Sequence, residues 1–190
     1  MPDEATDLMA TILGGGFSSR INMNIREDKG YAYGARGGFR YNRYGSMLVA
    51  GGSVKSDVTK ESIQEILKEL HAIRDADVTD EELGRENPGA ILALPAQFAT
   101  GRAVQSTDQN LLYHGLPLGY YDTFVRNVQG LTKAAVRKAA LGHVKPADVR
   151  LLVVGDGRAV LPRLRELLDA KELVGELVVL DADGKAVGGR

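Results

Sequence analysis

Residues 24–34 read NIREDKGYAYG and pass from a helical pattern to a strand pattern. Ile25 and the apolar positions before it predict a helix face that packs into a core, and Gly30 ends that helix. A strand with aromatic residues follows. Arg26 and Tyr33 therefore flank a helix-to-strand corner, where a guanidinium and a phenol can both reach one carbonyl oxygen. Because no nucleophile or metal cluster accompanies them, the pattern indicates half of an active site.

The composition indicates one sizeable domain or two very small ones. The 190 residues are 44% hydrophobic and 26% charged, which is ordinary for a soluble globular protein. The formal net charge of −1 and the lack of a Lys/Arg block argue against nucleic acid or an anionic membrane as the main partner. No apolar run approaches the ~20 residues of a membrane span, and the acidic start differs from a signal peptide.

The residues that usually bind metals or form disulfides are scarce. The chain has no cysteine, which excludes disulfides, thiolate zinc sites and a cysteine nucleophile, and which fits the cytosol and the periplasm equally. The histidines, His71, His114 and His143, lack the spacing of a zinc-binding pair. We therefore expect no metal ligand in this chain.

Periodicity and capping signals predict alternating helices and strands. The predicted helices cover residues 4–13, 18–29, 57–74, 99–113, 120–128, 132–144 and 158–168. Another helix begins at the capping box of residues 79–82 and is expected to break near Pro88 and again near Pro95. The predicted strands cover residues 31–40, 44–54, 148–154 and 177–180, and we expect the third of them to be buried. This order predicts one α+β domain, a two-layer sandwich whose antiparallel or mixed sheet is covered on one face by helices.

Residues 14–19, GGGFSS, allow two interpretations. Glycines before a helix N-terminus can bind phosphate, which makes a phosphate-ligand-binding enzyme the weakest alternative function. A P-loop, however, ends in Gly-Lys-Ser/Thr, and a dinucleotide loop follows a strand, whereas a helix precedes these glycines. The pattern favours a helix end and a sharp turn in a tight helix–helix corner.

Arg26 and Tyr33 are the remaining candidates for a functional site. Their spacing alone favours a surface arginine and a strand tyrosine. The functional alternative is that both donate hydrogen bonds to a peptide carbonyl, and to the oxyanion that forms when water attacks it. Losing one such donor typically costs about 100- to 1000-fold in rate.

Two segments carry a family resemblance, residues 13–21 (LGGGFSSRI) and residues 24–33 (NIREDKGYAY). Together they resemble the C-terminal, zinc-free and inactive domain of the pitrilysin/insulinase family of zinc metallopeptidases (metallopeptidase family 16), which is related to mitochondrial processing peptidase. The resemblance continues through the hairpin and through residues 79–83, 113–117 and 151–156. It covers roughly the whole chain.

The resemblance implies that this chain binds substrate while a partner performs the chemistry. In the family, an arginine and a tyrosine of the inactive domain contact the scissile bond of a peptide, and by motif position these are Arg26 and Tyr33. Zinc and the general base come from a homologous N-terminal domain or subunit with an H-x-x-E-H helix, so no cofactor is expected here. The two halves enclose a chamber, and the strand from Met47 to Val54 is expected to form one wall of it.

The family domain normally begins with a strand well upstream of the triple glycine, whereas thirteen residues precede it here. We therefore expect a single domain over residues 1–185 that lacks its first strand or two, followed by a frayed tail over residues 186–190. A sheet edge that is normally paired is then open, which invites self-association. The other alternative function is a structural or interaction subunit that keeps this fold without processing peptides.

Overall fold

The computed structural model describes residues 3–187 as a set of helices packed on a short β-hairpin. The strands are β1 (Ala32–Arg40) and β2 (Met47–Val54). The helices are α1 (Glu4–Ala10), α2 (Arg20–Asn22), α3 (Thr59–Asp75), α4 (Asp80–Ala93), α5 (Gly101–His114), α6 (Tyr120–Gln129), α7 (Lys133–His143) and α8 (Gly157–Asp169). Short 3-10 turns cover Ser56–Val58, Leu94–Phe98 and Pro146–Asp148. None of these helices combines the length and apolar character that crossing a membrane requires.

The first helix begins at a polar cap and ends at the glycines. Asp3 caps α1 by accepting hydrogen bonds from the Thr6 backbone N–H at 2.9 Å and from the Thr6 hydroxyl at 2.7 Å. Beyond α1 the chain stays helical with wider π-type turns over Thr11–Gly15. Its apolar side chains are fully buried, which places this helix at the centre of the core.

The second helix runs directly into the hairpin. Wider π-type turns continue α2 over Met23–Asp28, and Gly30 ends the helix with a φ of 63°, a conformation that glycine adopts without strain. The N–H of Tyr31 still reaches back to the Ile25 carbonyl at 2.9 Å. The predicted change from helix to strand is therefore present, and it occupies the few residues around Gly30.

The strands β1 and β2 form an antiparallel pair, which is the sheet of the described residues. Phe39 and Leu48 face each other across the pair, and with Ala50 they pack on the core. The alternate side chains of both strands point to the opposite face. The predicted α+β class, with helices on one face of an antiparallel sheet, is confirmed, although the sheet is small.

The main core lies between the hairpin and helices α1, α2, α3 and α7. Its buried apolar residues are Leu8, Met9, Ile12, Leu13, Ile21, Ile25, Ala35, Leu70, Ile73, Val78, Val136, Ala140 and Val144. Burying one Leu, Ile or Met side chain fully typically contributes about 1.5–3 kcal/mol. A second cluster joins α3 to α8 through Ile63, Val160, Leu164 and Leu167. Helix α3 therefore contributes to both clusters.

The prediction of a buried strand over residues 148–154 is wrong. The chain is irregular there, and the Leu152 and Val154 side chains are 84% and 89% exposed. An apolar run becomes a strand only when a neighbouring strand accepts its backbone hydrogen bonds, and β1 and β2 pair only with each other within residues 3–187. The predicted strand over residues 177–180 is likewise reduced to one bridge, between Leu180 and Ala186.

The predicted break of the fourth long helix near Pro88 is also wrong. Helix α4 continues through Pro88, and it tightens into 3-10 turns only at Leu94, next to Pro95. Proline removes the hydrogen bond to the carbonyl four residues earlier, which here belongs to Gly84. Because Gly84 and Pro88 are both exposed, that carbonyl is open to solvent and the helix can continue.

Backbone hydrogen bonds hold the C-terminal end of the described chain against the residues just before it. The N–H of Val187 donates to the Val179 carbonyl at 2.8 Å, and the N–H of Asp181 donates to Lys185 at 2.9 Å. The rest of the predicted tail, residues 188–190, lies outside the described residues. The domain boundary at residue 185 stays a prediction.

The first glycine of the triple-glycine turn lies directly against the hairpin. A Cβ atom at Gly14 would be 2.3 Å from the Gly37 nitrogen and 2.5 Å from its Cα. The predicted helix end and turn between two helices is present, and the same corner is also a close contact of helix with strand. Glycine is required at position 14 because two backbones approach each other there without side chains between them.

We predict that Gly14→Ala lowers the free energy of unfolding by about 1–3 kcal/mol or more, because the added methyl group forces the helix away from β1. Gly16→Ala is the matched control, since a Cβ at Gly16 would meet nothing within 4 Å. Urea unfolding followed by circular dichroism measures both variants. Equal stability of the two would show that the close contact does not require glycine.

Candidate functional site

The corner between α2 and β1 brings two exposed aromatic rings and the half-buried side chain of Arg26 together. The Arg26 guanidinium carbon lies 4.7 Å from the centre of the Phe17 ring and 5.1 Å from the centre of the Tyr33 ring. Both rings are largely open, with Phe17 61% and Tyr33 91% exposed. A guanidinium near two aromatic faces is held by attraction to the rings, which limits its motion without using all its hydrogen-bond donors.

The polar groups of this corner are largely free to bind a ligand. Arg26 Nε contacts one carboxylate oxygen of Glu27 at 3.1 Å, and an exposed pair of this kind contributes little stability. The Tyr33 hydroxyl makes no hydrogen bond to any other residue between 3 and 187. Joint donation by the guanidinium and the phenol to one external oxygen stays a prediction.

A bulge in β1 directs Tyr33 outward. The strand register changes between Ala32 and Ala35, so Tyr33 and Gly34 fall in the irregular part of the pair. A Cβ atom at Gly52, opposite the bulge, would lie 2.6 Å from the Gly34 carbonyl oxygen. The bulge therefore depends on glycine in the partner strand, and bulges commonly re-aim a side chain in this way.

The side chain of Asn22 connects the two segments that carry the aromatic rings. Its Nδ2 donates to the Phe17 carbonyl at 2.7 Å, and its Oδ1 accepts from the Ala35 N–H at 3.1 Å. Asn22 is 4% exposed, so both bonds are shielded from water. Since Phe17 lies in the turn before α2 and Ala35 follows the bulge, one amide fixes the turn relative to the strand.

Two further contacts anchor the helix that carries Arg26. Asn24 Nδ2 donates to Glu65 at 2.9 Å and to Glu69 at 2.7 Å, which ties the helix to α3. Lys29 Nζ lies 3.3 Å from a Glu65 oxygen at the end of the same helix. The hydrogen bond from Asn24, with Lys68 and Lys29 nearby, holds the pKa of Glu65 below its usual range despite partial burial.

A bidentate ion pair ties α2 to α4. Arg20 Nε lies 2.6 Å from one oxygen of Glu82, and Arg20 Nη2 lies 2.8 Å from the other. Glu82 also completes the predicted capping box, in which it accepts from the Thr79 N–H at 2.8 Å. Burial alone would raise the pKa of Glu82, but the hydrogen bonds from Arg20 and Thr79 outweigh it and lower the pKa.

The described part of the chain does not provide a metal site. No group of three or more His, Asp or Glu side chains within residues 3–187 is arranged to hold a metal ion. His71 is exposed and faces Asp75 at 3.8 Å, whereas His114 packs edge-on against Tyr41 and Tyr113. The donor set of residues 3–187 therefore does not fit a catalytic zinc ion.

The sequence indicated Arg26 and Tyr33 as candidates, but not their neighbours Phe17 and Asn22. Phe17 is an aromatic residue beside glycines, a position that carries no periodic signal. Asn22 is a polar residue that directly follows the apolar Ile21 on a helix expected to be buried. A polar residue that is buried must find hydrogen-bond partners. The position of Asn22 beside buried apolar residues was therefore the sequence feature from which its bridging role could have been inferred.

Comparisons with known proteins show which family and which fold this chain resembles. Residues 3–86 match the family model described as the peptidase M16 inactive domain. A solved peptidase M16 inactive domain from Pseudomonas fluorescens superposes with a TM-score of 0.65 and 23% identity, over 75% of this chain and 34% of that one. An inactive peptidase domain from Bordetella parapertussis superposes with a TM-score of 0.67 and 17% identity, over 80% of this chain and 85% of that one. The family resemblance and the fold are thereby confirmed.

One curated relative is also similar to this chain. It is the non-peptidase homolog YmxG of Helicobacter pylori, which is 22% identical over 149 residues. The match covers 78% of this chain and 34% of the relative, so the chain spans about a third of the relative's length.

We predict that Asn22→Ala lowers the free energy of unfolding by about 2–4 kcal/mol, because it leaves the Phe17 carbonyl and the Ala35 N–H without partners. Asn110→Ala, an exposed asparagine within α5, is the matched control and should change stability by less than about 0.5 kcal/mol. Chemical unfolding of both variants tests this. Similar values for the two would mean that the Asn22 bridge is not formed.

The Arg20–Glu82 pair predicts a pH dependence of stability. Because the pKa of Glu82 is lowered on folding, its contribution is complete above the unfolded-state pKa of about 4.3 and is lost as the pH falls through the folded-state pKa. Glu82→Gln keeps the capping geometry and removes the charge. We expect it to be less stable than the parent by about 1–3 kcal/mol at pH 7, and the difference to shrink below pH ~4. Unfolding at several pH values measures this, and a difference that is independent of pH would contradict it.

Proposed function

We propose, from the match of residues 3–86 to the peptidase M16 inactive-domain model, that the chain is the non-catalytic, substrate-binding half of a zinc metallopeptidase. The observation that carries the proposal is the pairing of Arg26 with Tyr33 at one exposed corner inside the matched segment. The Arg26 guanidinium carbon lies 5.1 Å from the centre of the Tyr33 ring there, and that ring is 91% exposed.

In this proposal, Arg26 and Tyr33 act on the scissile carbonyl of a bound peptide. The Arg26 guanidinium and the Tyr33 hydroxyl donate hydrogen bonds to the carbonyl oxygen and donate more strongly as negative charge develops on it. Phe17 limits the motion of the guanidinium, and Asn22 fixes the distance between turn and strand. The donors are therefore oriented before the substrate arrives, which avoids an ordering cost during the reaction.

The hydrolytic chemistry is assigned to a partner domain or subunit. The donor set of residues 3–187 does not fit zinc, so the zinc ion and the general base are expected on a homologous partner with an H-x-x-E-H helix. This chain then binds and orients the peptide but is inactive alone. Peptides are its proposed substrates, and the zinc-bearing homolog is its proposed partner.

A second candidate function is a structural or interaction subunit without a proteolytic role. The observation that favours it is the relative from Helicobacter pylori, which is described as a non-peptidase homolog. Arg26 and Tyr33 distinguish the candidates, because a purely structural subunit has no use for two free donors at an exposed corner. Self-association through an open sheet edge stays a separate proposal.

We predict that Arg26→Ala and Tyr33→Phe each lower kcat/KM by about 100- to 1000-fold when the chain is combined with its zinc-bearing partner. Each change removes a donor to the developing oxyanion, and the loss should appear mainly in kcat. Arg74→Ala and Tyr44→Phe are matched controls, since Tyr44 is as exposed as Tyr33 and Arg74 forms only a surface pair with Asp75.

The kinetic result decides between the two candidates. Losses confined to the Arg26 and Tyr33 variants support the substrate-binding role. Unchanged kcat/KM in both variants would remove that role and leave the structural subunit.

A further inference from the structure

The segment that forms the hairpin carries positive charges and no negative ones. The whole chain is nearly balanced, with 24 Lys and Arg residues against 25 Asp and Glu residues. Between Asp28 and Asp57, however, there is no carboxylate side chain at all. The cations in that interval are Lys29, Arg36, Arg40, Arg43 and Lys55. The face that these residues build is therefore basic on a protein whose overall charge is close to zero.

Two of the five cations lie within the strand and are available to a ligand on the outer face of the sheet, whereas Arg43 lies in the turn, 5.7 Å from the centre of the Tyr44 ring. Lys29 pairs with Glu65, and Lys55 Nζ donates to the Gly30 carbonyl at 3.1 Å. Arg36 and Arg40 are exposed and have no carboxylate from residues 3–187 within 4.0 Å. Since they alternate with residues that face the core, both point to the outer side of β1.

The outer face is open around Arg36, whereas Val49 and Met47 stand on it opposite Gly38 and Arg40. Gly51 lies opposite Arg36 in the antiparallel pair, and Gly38 lies between Arg36 and Arg40 on the same face. A Cβ atom at either glycine would meet nothing within 4 Å. An extended peptide can therefore approach the backbone closely at Gly38 and Gly51, next to Arg36, and its side chains can reach the guanidinium groups.

The same strand connects the basic face to the Arg26–Tyr33 corner. Tyr33 precedes Arg36 by three residues and Arg40 by seven. With a strand rise of about 3.3 Å, the arginines lie roughly 10 and 23 Å from Tyr33 along β1. An extended peptide that places its scissile bond at Tyr33 thus passes Arg36 and Arg40 about three and seven residues away.

We propose that the outer face of the hairpin recognises acidic peptides, with Arg36 and Arg40 binding carboxylate side chains on one flank of the scissile bond. This inference rests on the proposed function, because it names the substrate class of the same site. Arginine suits the role, since its planar fork binds a carboxylate in two places. A peptide is favoured over nucleic acid because the binding face is a short pair of strands on a chain of net charge −1, without a continuous basic groove.

The test measures binding of fluorescent peptides to the full chain at low salt. Three extended peptides of equal length carry two Glu, two Gln or two Lys residues spaced four apart, as Arg36 and Arg40 are. We expect the Glu peptide to bind about tenfold more tightly than the Gln peptide, and this preference to weaken as salt is added. In the double variant Arg36→Glu/Arg40→Glu the preference should reverse toward the Lys peptide. Arg102→Glu/Arg165→Glu, which makes the same charge change at exposed positions elsewhere, should keep it.

Each outcome supports or overturns the proposal. Equal affinity for the Glu and Gln peptides, the same loss in both double variants, or no binding of any peptide overturns it. Tighter binding of a single-stranded oligonucleotide than of the Glu peptide also overturns it, in favour of nucleic acid. Loss of peptidase activity in Arg26→Ala together with equal peptide affinities would reject only the acidic preference. An acidic preference with unchanged activity in Arg26→Ala would reject only the role of Arg26.

Discussion

The side chain of Asn22 joins the three parts of the molecule from which the candidate site is built. Its amide reaches the Phe17 carbonyl in one direction and the Ala35 N–H in the other, out of contact with water. A buried hydrogen-bonded group is costly to leave unpaired, so the turn and the strand cannot separate independently. That bridge therefore sets how far apart the Phe17 and Tyr33 rings lie on either side of Arg26. The site therefore depends on a residue that does not touch the proposed substrate.

The contacts that hold this corner in place lie on its core side, and the hydrogen-bond donors of the candidate site lie on its solvent side. Toward the core, Gly14 contacts Gly37, and Asn24 binds carboxylates of α3. Toward solvent, Arg26 and Tyr33 keep hydrogen-bond donors that no other described group occupies. This arrangement suits a site that acts by positioning, since preorganised donors stabilise developing charge without first having to move. The basic outer face of β1 extends the same surface, and we propose that it selects among the peptides that reach it.

The sequence predicted those parts of the fold that are fixed locally. The caps at Thr79 and Thr132 and the helix end at Gly30 act over one helical turn, and the structure has all three. The strand predicted over residues 148–154 failed because strand formation depends on a distant partner, which an apolar run does not reveal. In the site, Arg26 and Tyr33 could be named from motif positions. Their aromatic neighbour Phe17 and the bridge through Asn22 could not, since both arise from contacts across the turn.

The central claim is that this corner faces a scissile peptide bond while the chemistry belongs to a partner. A crystal structure of the chain with its H-x-x-E-H partner and a bound, uncleaved peptide tests it most directly. The account predicts that the Arg26 guanidinium and the Tyr33 hydroxyl both lie within about 3.2 Å of one peptide carbonyl oxygen. A complex in which the peptide is bound and these two groups face solvent, away from it, would contradict the account.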